Sequence, residues 1–558
     1  MKANKFLVSI YFILLLSLTG CEKIPTNANT AFRNYTLGLF REDVSSNALG
    51  LHYTLEHPET YGITNVPKTF GSFPTSPAAS LVFFENCEAA LNKFSYQTLS
   101  TENQLTYDIL SYYISIEKTG AAYHLYAEPL SPITGIHAQL PILLSEYHLH
   151  SEADVITYLE LLKATPDYFQ SLIAFEQSKA ANGLFMSDAV LSDVLEQCHA
   201  FLKMGDQNYL FSSFVERLSS LPELSPENRM TYISSHEALV KNYVYPAYQS
   251  LITALETLKG SGKNNMGLCH FPEGKSYVSY LVASETASSR TIPEIKTLME
   301  THIAEDLLTL MSLDKNFSFD VSYDSPIEIL KDLRKKTART FPDCASVSVE
   351  IKYVPKALED YLSPAFYFIP AIDNKEENVI YINQAHSMEN LQLFSTLAHE
   401  GYPGHMYQTT YFSAKNPDPV RHLFSFKGYV EGWATYAEMC SYYISPLDKT
   451  SAIAAQKNNS LLLGLYAMAD LGIHYEGWTL DDTVQFFEKY GIKNLSTIKE
   501  IYNYILGDPC NYLAYYVGYL EIMELKRESG LSHREFHEKF LDIGPAPFSI
   551  VRKHLLDQ

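Results

Sequence analysis

The sequence predicts a mainly α protein, with two helical lobes around a cleft and a small β-sheet on one wall. Three observations carry that reading. Apolar residues recur at spacings of three and four through most segments between Phe32 and Thr340. Alternation of period two is confined to one stretch, Ser346 to Asn383. Helical spacing then resumes and runs to the C-terminus. At 558 residues the chain is long enough for a large core, and 46% hydrophobic with 19% charged residues is an ordinary folded composition.

The elements follow in order. Lys2 and Lys5 precede a short apolar run, Phe6 to Leu18, that ends in "LTGC". This pattern reads as a signal peptide, residues 1–21, with the lipobox of a bacterial lipoprotein at Cys21. Cleavage before Cys21 and lipidation of its thiol would place the mature chain on the extracytoplasmic face of a bacterial membrane, held by lipid. Residues 22–31 are polar and read as a tether. Residues 32–340 form an N-terminal, mostly helical part. Its run "DVITYLELLKATPDYFQSLIAFEQSKA" is amphipathic, with Pro166 expected at a helix boundary. Residues 341–558 contain the sheet and the chemistry-bearing motifs, and belong to the same catalytic unit. Within them "SVSVEIKYV" alternates, and "AFYFIPAIDNKEENVIYIN" reads as two short strands joined by a charged turn.

Composition excludes several classes. The net charge of −22 disfavours nucleic acid as a partner. No stretch after the signal segment reaches the eighteen or more apolar residues of a spanning helix. The six cysteines besides Cys21 are scattered without a C-x-x-C pair, which argues against a cysteine-based zinc site.

The stretch "FSTLAHEGYPGHMYQ", Phe394 to Gln408, holds the main chemical signal. Leu391, Phe394, Leu397 and Ala398 predict a helix, with Ser387 as its N-cap. A second histidine four residues after His399 would lie on the same helix face, but that position is Pro403. His405, six residues on, would point about 240° round a regular helix. Pro403 interrupts the hydrogen-bond ladder, and Gly401 and Gly404 permit unusual backbone paths. A bulge of about two residues would return His405 to the His399 face. A zinc site needs a third protein ligand. "GYVEGWATYAEMC" offers Glu431 and Glu438, seven apart and on one helix face. Glu431 is the expected ligand; Glu438 is an alternative ligand or a carboxylate behind one of the histidines. Glu400 is placed to act as the general base on a zinc-activated water.

"AHEGYPGHMYQ" followed by "YVEGWATYAE" resembles the bacterial family called domain of unknown function 885, whose signature is H-E-x-[YF]-P-G-H and then E-G-W-A-x-Y-x-E. "YLSPAFYF", "VIYIN", "DLGIHYEGWTLDD", "YLAYYVGYLEIMELK" and "FHEKFLDIGPAP" also fit. The resemblance implies a zincin-type, helical oligopeptidase-like fold with one Zn2+ on His399, His405 and Glu431, and Glu400 as base. The chain departs from the family near its end. In "NYILGDPCNYLAYYVG", Tyr504 replaces an arginine, Cys510-Asn511 replaces Gly-Gln, and Tyr516 replaces a lysine. Tyr515 is retained and is a candidate oxyanion donor. His474, four residues after Asp470, is a second oxyanion-side candidate, with Asp470 orienting its ring. The strand near Tyr367 and Phe368 is a candidate for pairing with an extended peptide. The expected activity is zinc-dependent hydrolysis of amide bonds in a small peptide-like substrate at the cell surface. The competing expectation is a surface lipoprotein that binds a peptide or ligand in a retained metal cleft without turnover.

Overall fold

The structure is a computed structural model that describes residues 27–556, apart from 315, 345, 346, 357, 358, 360, 361 and 375. The signal segment, Cys21 and tether residues 22–26 lie outside the described residues. The fold is mainly α, with one three-stranded sheet among the described residues.

Helix formation begins earlier than the polar composition of 22–31 suggests. The first helix spans Ala28–Val44, because the Asn27 side chain caps the Asn29 amide and Phe32, Thr36 and Phe40 bury one stripe. Pro166 also departs from expectation. It lies inside one continuous helix, Glu152–Ala181. Proline there removes a ladder bond at a cost of about 3 kcal/mol, but Leu161, Leu162, Phe169 and Leu172 on either side are almost completely buried. Their burial, at roughly 1.5–3 kcal/mol per side chain, outweighs the break.

The apolar interior divides into two main cores. The smaller is built chiefly from residues 130–255 and includes the Pro166 helix. The larger combines residues 32–114 with residues 268–555. Residues from the N-terminal part, 32–340, contribute to both cores.

The sheet contains β1 (Val349–Tyr353), β2 (Ala365–Phe368) and β3 (Asn378–Ile382) in the order β1-β3-β2. β3 pairs with β1 in parallel and with β2 antiparallel, with Tyr367 opposite Ile380. The two strands read from "AFYF" and "VIYIN" are thus a hairpin, and β2 lies at the sheet edge. β2 packs beside the helix Asn390–Glu400, which carries His399. That helix starts after Glu389 without a side-chain cap, so Ser387 does not cap it.

Candidate metal centre

The proline-glycine stretch breaks the helix completely instead of bulging it. One helix ends at Glu400, residues 401–404 cross over, and a new helix, His405–Ala414, starts at the second histidine. His405 is therefore aimed by a fresh helix axis, and the 240° objection does not apply. Gly404 is required by proximity: a Cβ there would sit 1.8 Å from the His399 carbonyl oxygen. The crossing is tied down by Trp433, whose indole N–H donates to the Pro403 carbonyl at 2.9 Å. The Tyr407 amide donates to Gly401 at 3.2 Å.

The two imidazoles meet. Their ring centres are 4.8 Å apart and nearly perpendicular. His405 Nε2 lies 3.1 Å from Glu431 Oε2, and His399 Nε2 lies 3.6 Å from the same oxygen. On its far side His399 Nδ1 faces Glu438 Oε2 at 3.1 Å. Glu431 and Glu438 both come from the helix Lys427–Ser441. An oxygen of Glu400 also lies within 4.8 Å of a ring nitrogen of each histidine, but Glu400 Oε2 accepts the Tyr367 amide of β2 at 2.8 Å. Ligands at zinc bond lengths of about 2.0–2.1 Å in a tetrahedron stand about 3.4 Å apart. The 3.1 and 3.6 Å separations to Glu431 bracket that edge. Two imidazoles and a carboxylate are a donor set that suits zinc; Glu431 faces both histidines, and Glu400 stands beside them. Burial disfavours the charged form of His399, but hydrogen bonds to Glu431 and Glu438 and the charge of Glu400 outweigh it. Its pKa is pushed up to about 10.

Glycines on two helices set the position of Glu431. A Cβ on Gly518, in the helix Asn511–Ser529, would lie 2.1 Å from the Gly428 carbonyl oxygen, and one on Gly432 would lie 2.4 Å from the Gly518 carbonyl carbon. The helices therefore touch backbone to backbone. Gly428 lies three residues before Glu431, and Gly518 three after Tyr515, so the contact brings those side chains together. Tyr515 hydrogen-bonds Glu431, and burial together with the charges of Glu431 and Glu400 holds its phenol well above the usual range. Its ring runs nearly parallel to His399 at 6.1 Å. The Tyr367 amide, the Trp433 indole and this glycine contact were not identified from the sequence. The "EGW" triplet was visible there, but gave no role for its glycine or tryptophan.

Two residues expected at the site serve elsewhere. His474 Nδ1 accepts the Leu268 amide at 3.2 Å and its Nε2 meets the Ile505 carbonyl at 2.9 Å. Both ring nitrogens are thus engaged by backbone, which leaves no donor for an oxyanion. Burial, partly offset by the Ile505 bond, holds its pKa down to about 4. Asp470 does not orient that ring. Its Oδ1 accepts the amide of Cys510 at 3.0 Å. Cys510 has a φ of 62°, in the left-handed region that glycine tolerates best. Asp470 therefore braces the turn that launches the Tyr515 helix. Tyr516 is buried beside Gly464, on a different face of the helix from Tyr515. Near Tyr504 the Lys427 ammonium lies 3.5 Å from Glu285.

The description "Bacterial protein of unknown function (DUF885)" matches residues 74–307 and 324–555. The chain belongs to this family. Two solved structures described as putative lipoproteins share the DUF885 protein's fold. One, from Colwellia psychrerythraea, is 18% identical with a TM-score of 0.79, covering 95% of this chain and 98% of the other. The second, from Shewanella oneidensis and described as of unknown function, is 16% identical with a TM-score of 0.63, covering 94% and 99%. No curated protein matches this DUF885 chain. None of its described helices is long and apolar enough to cross a membrane.

Proposed function

We propose that this DUF885 protein is a zinc-dependent hydrolase of peptide bonds, lipid-anchored at the extracytoplasmic face of a bacterial membrane. The observation that carries the catalytic reading is the convergence of both Nε2 atoms on Glu431 Oε2, with Glu400 alongside. The lipobox at Cys21 and the description of both solved neighbours support the anchor.

His399, His405 and Glu431 would hold the ion, and Glu438 fixes His399 so that Nε2 faces it. When bound, zinc supplies a Lewis acid that polarises the scissile carbonyl and activates water near neutral pH. Glu400, held by the β2 amide, accepts the proton of the attacking water and delivers it to the departing amine. Tyr515 keeps its phenolic proton and can turn from Glu431 to donate to the developing oxyanion. Because the Tyr367 amide is engaged by Glu400, a peptide laid along β2 pairs with its other edge groups.

The deciding experiment combines zinc stoichiometry with digestion of a mixed peptide library read by mass spectrometry. Zinc near one per chain with new peptide ends is the expected result. Stoichiometric peptide binding without products, with zinc present, would sink the hydrolase reading in favour of a binding protein.

Two further results are expected at the site. Glu438→Gln should weaken zinc binding about 10–100-fold, the usual effect of removing a carboxylate behind a ligating histidine. A zinc affinity within twofold of the wild type would assign Glu438 no part in the centre. Zinc binding should also release a proton. His399, with its pKa raised to about 10, carries a proton at pH 7–9, and only the neutral ring binds metal. Affinity should therefore rise with pH, about tenfold per unit through this group. Calorimetry in buffers of different ionisation enthalpy reads the release directly, and buffer-independent heats would refute it.

A further inference from the structure

A cavity of about 1630 Å³ lies apart from the metal centre, and none of His399, Glu400, His405, Glu431 or Tyr515 lines it. It runs between the helices Ala28–Val44 and Ala78–Leu91 on one side and residues 408–414 and 421–425 on the other. Its walls are largely apolar, with Leu39, Phe83, Phe84, Ile372 and Phe424 among them. Two features of this lining bear on what it would hold.

The first is Arg421. It is only 3% exposed and lines the cavity. Its Nη2 donates to the Ile543 carbonyl at 2.7 Å and to the Pro545 carbonyl at 3.4 Å, and the guanidinium lies over the Phe412 ring at 5.6 Å. Among the described residues no carboxylate oxygen lies within 4.0 Å of this guanidinium. Asp418, nearby, instead accepts the Thr36 hydroxyl at 2.6 Å and the Val420 amide at 3.1 Å. Burial pushes Arg421 down to about 10, partly offset by neighbouring acidic groups, so it stays charged at neutral pH. A buried charge without a close counterion is unfavourable, and an anionic ligand group would relieve it.

The second is Gly38. It lies within the helix Ala28–Val44, where glycine is destabilising relative to alanine. A Cβ there would meet nothing within 4 Å. No close approach or left-handed backbone calls for glycine at this position. It faces the cavity and keeps the floor smooth.

We infer that this cavity binds a long-chain fatty acid, its carboxylate at Arg421 and its hydrocarbon chain over Gly38 between the two helices. Arg41, Glu42, Asp43 and Lys93 line the cavity from exposed positions; apolar walls with one buried guanidinium are the combination of an amphiphile site.

The test uses the full mature chain, with 1-anilinonaphthalene-8-sulfonate as fluorescent probe and palmitate or hexadecanol as competitor. Palmitate should displace the dye, and hexadecanol, which has the same chain without the charge, should compete at least tenfold more weakly. Gly38→Leu should weaken palmitate binding at least tenfold while leaving the thermal midpoint unchanged or higher. Arg421→Met should abolish the preference for palmitate; if that variant does not fold, the hexadecanol comparison and Gly38→Leu decide. Equal competition by hexadecanol, or palmitate affinity unchanged in Gly38→Leu, would overturn the inference. Glu400→Gln should bind palmitate like the wild type, which separates this site from the proposed hydrolase.

Discussion

Glu400→Gln is expected to reduce peptide hydrolysis by at least about a hundredfold, the lower end of what a positioned general base contributes, with zinc still near one per chain. The substitution is nearly isosteric. Its side-chain oxygen can keep the bond now made by the Tyr367 amide to Glu400 Oε2 at 2.8 Å. His399, His405 and Glu431 are untouched. What is lost is the capacity to accept a proton and return it to the leaving amine. The measurement is the steady-state rate on a peptide found by library digestion, with zinc counted by atomic absorption on the same sample. Wild-type turnover in Glu400→Gln would mean that another group is the base, and lost zinc would place Glu400 among the ligands.

Gly518→Ala is expected to disrupt both the helix packing and the metal centre. Its Cβ would enter 2.1 Å from the Gly428 carbonyl oxygen, and that neighbour is backbone rather than a flexible side chain. The helices Lys427–Ser441 and Asn511–Ser529 would have to separate along their shared face. Overpacking of this kind costs about 1–3 kcal/mol, so the thermal midpoint should fall by about 1–3 °C for a chain of this length. The separation also moves Glu431 from Tyr515 and from the histidines, so zinc affinity should fall in parallel. Gly38→Ala is the control, because alanine is the better helix former and its Cβ has open space. Equal thermal midpoints for Gly518→Ala and the wild type would show that the close helix contact is not tight in solution.

The residues that converge at the centre were legible to different degrees. His399, His405, Glu400 and Glu431 were identifiable because few side-chain types can ligate a metal or carry a proton, and these stand in a short, recognisable order. The manner of their convergence was not. A bulged helix and a broken helix have the same letters between Glu400 and His405, and local propensity does not choose between them. The choice rests on Trp433, thirty residues downstream, which holds the Pro403 carbonyl. His474 was misplaced for a related reason. Its spacing from Asp470 suits a helical pair, but the backbone of residues 268 and 505, distant in sequence, occupies both ring nitrogens. Pro166 illustrates the same limit in the fold: a local penalty is overruled by burial that depends on other segments.

By itself the sequence determined the helical class, the position of the small sheet, the family and the donor types, because periodicity and side-chain chemistry are local properties of the chain. Only the tertiary structure decided which carboxylate faces both histidines, which one stands behind His399, and which amide steadies Glu400. Those assignments depend on a helix crossing close enough to exclude every side chain larger than glycine. Contact between backbones far apart in sequence leaves little trace in the order of residues.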